Sequence, residues 1–128
     1  AWGVDHAKAV EMGYEEEWAA ACESLRAMHK RGVRVLPGGD YGFAFNPHYQ
    51  NARDLELFVK HLGFTPMEAI RCATMYGGQI FQRGHELGQV KEGFLADLIL
   101  VDGDPLANLA ILRDKRRILA VMKDGKFH

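Results

Sequence analysis

One aspartate stands where a carboxylate could do chemistry. Asp40 follows Val33-Arg34-Val35-Leu36, a run typical of a short β-strand, and Pro37-Gly38-Gly39 ends that strand. A carboxylate at a strand end can bind a cation through one oxygen and accept a proton from water through the other. The two glycines would let the backbone approach a ligand closely. The alternative is an ordinary turn aspartate, because Gly and Asp are common turn residues.

The loop after Asp40 supplies the next candidates. Residues 41–50 read YGFAFNPHYQ, in which His48 could contact a substrate and Tyr41, Phe43 and Phe45 could form an apolar wall. The alternative is a loop whose aromatic rings only pack on the rim of the domain. The histidines form neither a His-x-His pair nor a His-Glu-x-x-His motif; the six are His6, His29, His48, His61, His85 and His128.

The composition is that of a globular protein with no sign of a nucleic-acid or membrane partner. Of 128 residues, 48% are hydrophobic and 26% are charged, and the net charge is -1. No apolar run approaches the roughly 18 residues of a membrane span, and the first residues do not resemble a signal peptide. Two cysteines, Cys22 and Cys72, are too few for a disulfide scaffold. We expect both in the core and the protein in the cytoplasm.

Helices must position these residues on either side of the strand. The pattern predicts a short helix over 5–12 and a longer one whose apolar stripe runs from Trp18 to Met28, with Gly32 after its end. A third helix is predicted from a cap at Asn51 to Gly63. Thr65-Pro66-Met67-Glu68 predicts a capping box that opens a helix to about Arg83. That helix should bury one face, made of Ile70, Ala73, Gly77 and Phe81.

The sequence pattern changes from helical to strand-like beyond Gly84, and we place a domain boundary near residues 84–88. Residues 95–101 and 118–122 are predicted strands, with Asp97 inside the first one making a structural hydrogen bond. Asp124-Gly125 predicts a type I′ hairpin turn. The second part of the chain is therefore expected to be antiparallel β-structure.

Several motifs follow one another in order between residues 30 and 127. In combination they resemble the C-terminal part of the amidohydrolase superfamily, nearest to its imidazolonepropionase-like and prolidase-like metal-dependent hydrolases. Asp40 departs from the family, since Gly39 and Tyr41 flank it in place of the commoner Gly-Thr-Asp-Ala-Gly. The motifs are Gly38-Gly39-Asp40, Thr65-Pro66-x-Glu68-Ala69 with Ala73-Thr74, Leu87-Gly88-x-Val90-x-x-Gly93-x-x-Ala96-Asp97-Leu98, Asp104-Pro105 and Val121-x-Lys123-Asp124-Gly125.

The resemblance implies an α/β fold, the C-terminal portion of a (β/α)8 barrel plus strands of a small composite β-sandwich domain. Residues 1–84 would supply the last barrel strand and the closing helices, and residues 85–128 a segment of the sandwich. The barrel would hold one or two divalent metal ions, with zinc expected. A complete barrel needs about 250 residues, and the family's His-x-His ligands are absent from this sequence. We therefore expect a fragment of the enzyme, inactive alone.

The implied reaction is hydrolysis of a C–N bond by metal-activated water, in a small amide, cyclic amide or dipeptide-like substrate. Asp40 would be the metal ligand and proton shuttle, and His48 and Tyr41 would contact the substrate. The chain would associate with the remainder of the barrel or with another copy of itself as a homo-oligomer, because an incomplete barrel exposes apolar faces. Two alternatives stay open: a non-catalytic module of the same fold and a self-contained α/β binding domain.

Overall fold

The computed structural model describes residues 5–43 and 46–128 of the chain. Helix α1 spans His6–Glu11, and the carboxylate of its N-cap Asp5 accepts a hydrogen bond from the backbone N–H of Lys8 at 2.9 Å. Helix α2 spans Tyr14–Lys30 and carries three glutamates in its first turn, where the helix dipole favours negative charge. Both helices match the prediction from the sequence.

Residues 33–40, predicted to begin with a strand, pair with no strand among the described residues. No backbone N–H or C=O between residues 34 and 40 bonds to another described backbone group. A barrel strand takes its hydrogen bonds from neighbours on both sides, and the described part of the chain places none there. The chain is thus mixed helix and strand, and the described residues do not form a barrel.

Helix α3 spans Arg53–Leu62 and follows a short 3-10 turn, His48–Gln50. Its N-cap is Ala52, without a side-chain cap, so the predicted cap at Asn51 is wrong. Asn51 has helical dihedrals, and its carbonyl oxygen accepts from the N–H of Asp54 at 3.2 Å. Leu55, Phe58 and Leu62 on one face of the helix are buried, and Gly63 ends the helix in the left-handed conformation with φ 79°.

Two helices stand where the sequence predicted one: α4 spans Pro66–Ala73 and α5 spans Met75–Ile80. The capping box is present, with Thr65 and Glu68 bonding each other's backbone N–H groups. Thr74 breaks the helix at ψ -77°, and its hydroxyl donates to the carbonyl oxygen of Ile70 at 2.8 Å.

The face predicted to be buried on this helix is only partly covered. Ile70 and Gly77 are half-buried, whereas Ala73 and Phe81 are exposed, Phe81 to 74%. The prediction for these two residues is wrong in the described structure. The reason is that no described element packs over this side of α4 and α5.

The segment after α5 packs on it backbone to backbone. A Cβ on Gly78 would lie 2.7 Å from the carbonyl oxygen of Leu87, and one on Gly88 would lie 2.2 Å from that of Thr74. Gly88 also has φ 84°. Glycine is therefore required at both positions, which accounts for the Leu87-Gly88 pair as a structural motif.

The C-terminal part forms a three-stranded antiparallel sheet in the order β1-β2-β3. Strand β1 spans Leu98–Val101, β2 spans Ile118–Lys123 and β3 spans Lys126–Phe127. The predicted hairpin turn is present, because Asp124 and Gly125 have φ 50° and 75°. Asp97 precedes β1 and anchors this turn: its carboxylate accepts from the N–H of Asp124 at 2.7 Å and from the Lys123 ammonium.

The core lies between α2, α3 and α4. Both free cysteines are in it, as the sequence predicted. The buried apolar residues that form it are Cys22, Leu55, Phe58, Leu62, Phe64, Ala69, Cys72 and Leu109.

One face of the sheet remains uncovered. We call Ile99, Leu119 and Val121 the open face; they share one side of the β1–β2 pair and are 55%, 61% and 41% exposed. None of the described helices is long and apolar enough to cross a membrane.

Candidate active site

Asp40 lies at the end of the extended segment, before the turn at Tyr41 and Gly42. Its backbone is left-handed, with φ 49°, a conformation that costs a residue other than glycine about 1–2 kcal/mol. Its side chain is exposed and makes no hydrogen bond or ion pair with any residue that the structure describes. The carboxylate is therefore free to take a ligand from outside this part of the chain.

The Tyr41 side chain turns toward helix α3. Its hydroxyl donates a hydrogen bond to Oδ1 of Asp54 at 2.6 Å and lies 3.5 Å from the carbonyl oxygen of Gln50. Burial, together with the hydrogen bond to the Asp54 carboxylate, raises the pKa of Tyr41 to about 12. The phenol therefore stays protonated and acts as a hydrogen-bond donor at neutral pH.

His48 returns to the turn that follows Asp40. It opens the 3-10 turn His48–Gln50 and is exposed, and its Nε2 lies 3.1 Å from where a Cβ on Gly42 would stand. The loop thus brings an imidazole near the backbone two residues beyond Asp40. Phe43, also predicted for the apolar wall, is 48% exposed, and Phe45 lies outside the described residues.

Three further histidines are engaged elsewhere. His6 lies 3.4 Å from a carboxylate oxygen of Glu15 on α2. His29 stacks on the ring of Phe64, with centroids 3.7 Å apart. His61 meets the ring of Trp18 edge to face at 5.4 Å. The aromatic contacts at His29 and His61 show that these residues take part in packing.

The described residues do not form a complete metal site. Residues 5–43 and 46–128 contain no group of three or more His, Cys, Asp or Glu side chains placed to hold a metal ion. A catalytic zinc needs about three protein ligands. The role of Asp40 as a metal ligand therefore stays a prediction.

An apolar cavity of about 600 Å³ lies beside Tyr41 and Asp54. Helices α3 and α4 form one wall and strand β1 forms another, with the extended segment between them. Its lining is largely apolar and includes Leu36, Leu55, Ile70 and Ile99. The cavity is a gap between helices and sheet, continuous at Ile99 with the open face.

Two residues bond to the turn that bears Asp40 without having been predicted as site residues from the sequence. Asn46 donates from Nδ2 to the carbonyl oxygen of Gly39 and, at 3.5 Å, to that of Asp40. Asp54 accepts the hydrogen bond from the Tyr41 hydroxyl. Neither contact has a signature in sequence spacing, because both depend on how the loop folds back on itself and onto α3.

Comparisons with known proteins identify the family of the chain. The model of the amidohydrolase family matches residues 15–127. Ochratoxinase from Aspergillus niger is 31% identical over 120 residues, which cover 88% of this chain and 24% of ochratoxinase. Imidazolonepropionase from Geobacillus sp. (strain WCH70) is 26% identical over 103 residues, covering 80% of this chain and 24% of that protein.

Solved structures of similar proteins also match most of this chain and about a quarter of their own length. A Xaa-Pro dipeptidase with methionine bound in its active site matches with a TM-score of 0.74 and 30% identity, over 84% of this chain and 25% of that chain. Ochratoxinase from A. niger matches with a TM-score of 0.72 and 28% identity, over 83% of this chain and 24% of that chain. The chain belongs to the amidohydrolase family, and it spans about a quarter of the length of these relatives.

Proposed function

We propose that this chain is the C-terminal part of a metal-dependent amidohydrolase that hydrolyses a C–N bond in a small amide, cyclic amide or dipeptide-like substrate. Membership of the amidohydrolase family supports the reaction class. The names of the relatives support the substrate class, since they include an imidazolonepropionase and a Xaa-Pro dipeptidase. The free carboxylate of Asp40 after the extended segment is the observation that carries the proposal.

Residues 1–84 contribute the last strand and closing helices of a (β/α)8 barrel in this proposal, and residues 85–128 contribute strands of a β-sandwich domain. The extended segment supports the first assignment, because its backbone groups between residues 34 and 40 bond to no other backbone group among the described residues. The open face supports the second, because a sandwich sheet needs a covering layer on its apolar side. The remainder of the barrel or a second copy of the chain provides these partners.

Asp40 acts in this proposal as a metal ligand and proton carrier. Asp40 would be one ligand of a divalent ion, with zinc expected, and such an ion would lower the pKa of a bound water molecule toward neutrality. The free oxygen of Asp40 accepts a proton from the attacking water as the C–O bond forms. It then gives that proton to the departing nitrogen as the C–N bond breaks. The remaining ligands come from residues outside the described part of the chain.

His48 and Tyr41 contact the substrate in this proposal. His48 is exposed beside the turn that follows Asp40, so its imidazole can donate to a polar group of the substrate or of the leaving group. The hydroxyl of Tyr41 is already bonded to Asp54. Tyr41 therefore offers the edge of its ring, which lines the apolar cavity.

Substitution of Asp40 tests this function in the full-length protein that contains this chain. We expect Asp40→Asn to lose bound zinc, measured by metal analysis, and to lower turnover of a dipeptide and N-acyl amino acid panel by about 10²–10⁴-fold. Asp102→Asn is the matched control, since Asp102 is exposed and pairs with Arg117 at 3.4 Å. Undiminished zinc and turnover in Asp40→Asn would overturn the role of Asp40. Absence of zinc from the unmodified full-length protein would favour the non-catalytic module.

A further inference from the structure

We propose that Asn46, Tyr41 and Asp54 are positioning residues that fix the left-handed backbone of Asp40 and thereby the direction of its carboxylate. The inference rests on the proposed function of Asp40 and extends it to three side chains that do not themselves need to touch the metal. We call these three residues the Asp40 clamp. It explains how an extended segment without backbone partners keeps one aspartate in an unfavourable conformation.

Asn46 holds both peptide groups that flank Asp40. The carbonyl of Gly39 belongs to the planar peptide before Asp40, and the carbonyl of Asp40 belongs to the one after it. The Nδ2 group of Asn46 donates to both oxygens. Because the orientations of these two planes set φ and ψ of the residue between them, one amide side chain constrains both dihedrals of Asp40.

Asn46 is itself held in place by the loop. Its carbonyl oxygen accepts from the N–H of Gly42 at 2.9 Å, and its N–H donates to the carbonyl oxygen of Phe43 at 3.0 Å. The loop therefore closes on itself across Asn46 and presents the side-chain amide toward residues 39 and 40. This closure makes Asn46 a fixed donor.

Tyr41 connects the turn that bears Asp40 to helix α3. Its ring lies where a side chain on Gly39 would stand, since a Cβ there would be 2.8 Å from Cε2 of Tyr41. Its hydroxyl is bonded at 2.6 Å to Asp54 in the first turn of α3, next to the buried Leu55. The helix is anchored in the core. The hydrogen bond between Tyr41 and Asp54 therefore holds the turn that bears Asp40 in a fixed position against the helix.

The glycine pair before Asp40 offers an internal comparison. Gly39 has the Tyr41 ring against it, whereas a Cβ on Gly38 would have nothing within 4 Å. Neither residue has a positive φ, so alanine is compatible with the backbone at both. Gly39→Ala therefore displaces Tyr41, and Gly38→Ala leaves the clamp intact.

NMR of the chain tests the clamp without any metal or substrate. The Cα and Cβ chemical shifts of Asp40 report its left-handed backbone. We expect Asn46→Asp, which keeps the shape but removes the donor, and Gly39→Ala to move these shifts to ordinary loop values, while Gly38→Ala keeps them. Tyr41→Phe keeps the ring and loses the Asp54 bond, so it gives an intermediate shift. Unchanged Asp40 shifts in Asn46→Asp and Gly39→Ala would overturn the proposal.

Zinc affinity of the full-length protein links the clamp to the site. Removing groups that orient a metal ligand lowers metal affinity by about 10–100-fold, so we expect that loss for Asn46→Asp and none for Gly38→Ala. Wild-type affinity in Asn46→Asp would overturn the positioning role. If Asp40→Asn itself retains zinc, the proposed function fails, while the NMR result still decides whether the clamp holds the backbone.

Discussion

Asp40 combines an exposed carboxylate with a backbone conformation that side chains around it must maintain. The groups that do so are ordinary in isolation: an asparagine amide, a phenol and a second aspartate. Their effect comes from where they are held, on a self-closed loop and on the first turn of α3. At this scale the direction of the Asp40 carboxylate depends on hydrogen bonds made by side chains that are not themselves proposed metal ligands.

A second residue-scale feature is the capping box of α4, which makes stability depend on pH. Glu68 accepts from the backbone N–H of Thr65 at 2.8 Å and from its hydroxyl at 2.7 Å. These hydrogen bonds hold the pKa of Glu68 below its ordinary value of 4.5. The contribution is therefore complete above pH 4.5 and is lost as pH falls through the lower pKa of the folded state.

We expect Glu68→Gln to reduce the free energy of unfolding at pH 7, by less as the solution is acidified. Urea denaturation from pH 7 to pH 3 measures the difference between wild type and variant. Glu92→Gln is the control, because Glu92 is an exposed glutamate in the segment that precedes β1. A Glu68→Gln deficit that stays constant across this range would contradict the explanation.

At the scale of elements, the break between α4 and α5 and the glycine that abuts it form one structural unit. Thr74 leaves helical geometry, and its carbonyl oxygen faces Gly88 so closely that no side chain fits. This contact fixes how the second part of the chain leaves the helices. It therefore sets the position of the sheet relative to α4.

The pair Gly88 and Gly93 separates steric exclusion from backbone strain. Both have positive φ, 84° and 81°, but a Cβ on Gly93 meets nothing within 4 Å. Gly93→Ala should cost about 1–2 kcal/mol from the left-handed backbone alone. Gly88→Ala should cost about 1–3 kcal/mol more, because the Thr74 backbone must move. Urea unfolding of both variants measures this, and equal losses would show that the contact at Thr74 is not tight.

At the scale of the whole molecule, uncovered apolar surface is the dominant feature of the described residues. The cavity between helices and sheet opens toward the open face, and Phe81 is exposed on α5. Apolar surfaces of this kind mark contact sites. Both the remainder of a barrel and a second copy of the chain would bury them.

The chain alone is therefore expected to self-associate. Sedimentation velocity over a concentration series should show oligomers that dissociate on dilution. Leu119→Lys, in the open face, should shift the population toward monomer because it places a charge in the apolar contact. Val90→Lys is the control at a more exposed apolar residue, 88% exposed and outside the open face. A wild-type chain that is monomeric at every concentration would rule out this contact.

Local chemistry explains which parts of the fold were predictable. The capping box at Thr65, the left-handed Gly63 and the Asp124-Gly125 turn each depend on neighbours within a few residues. The order of the motifs also predicted the family, and the match of the family model over residues 15–127 confirmed the family. Asp40 was identified as a candidate from the sequence, and its role stays a prediction.

The sequence by itself determined the helices, the hairpin, the family and the aspartate at the centre of the candidate site. Only the tertiary structure decided that the helix breaks at Thr74, that the extended segment pairs with no described strand, that Asn46 bonds the backbone around Asp40 and that Asp54 bonds Tyr41. The physical reason is the separation along the chain between the residues that interact. Caps and turns gain their free energy from hydrogen bonds along a few residues, whereas these features arise from contacts that exist only after distant segments have packed together.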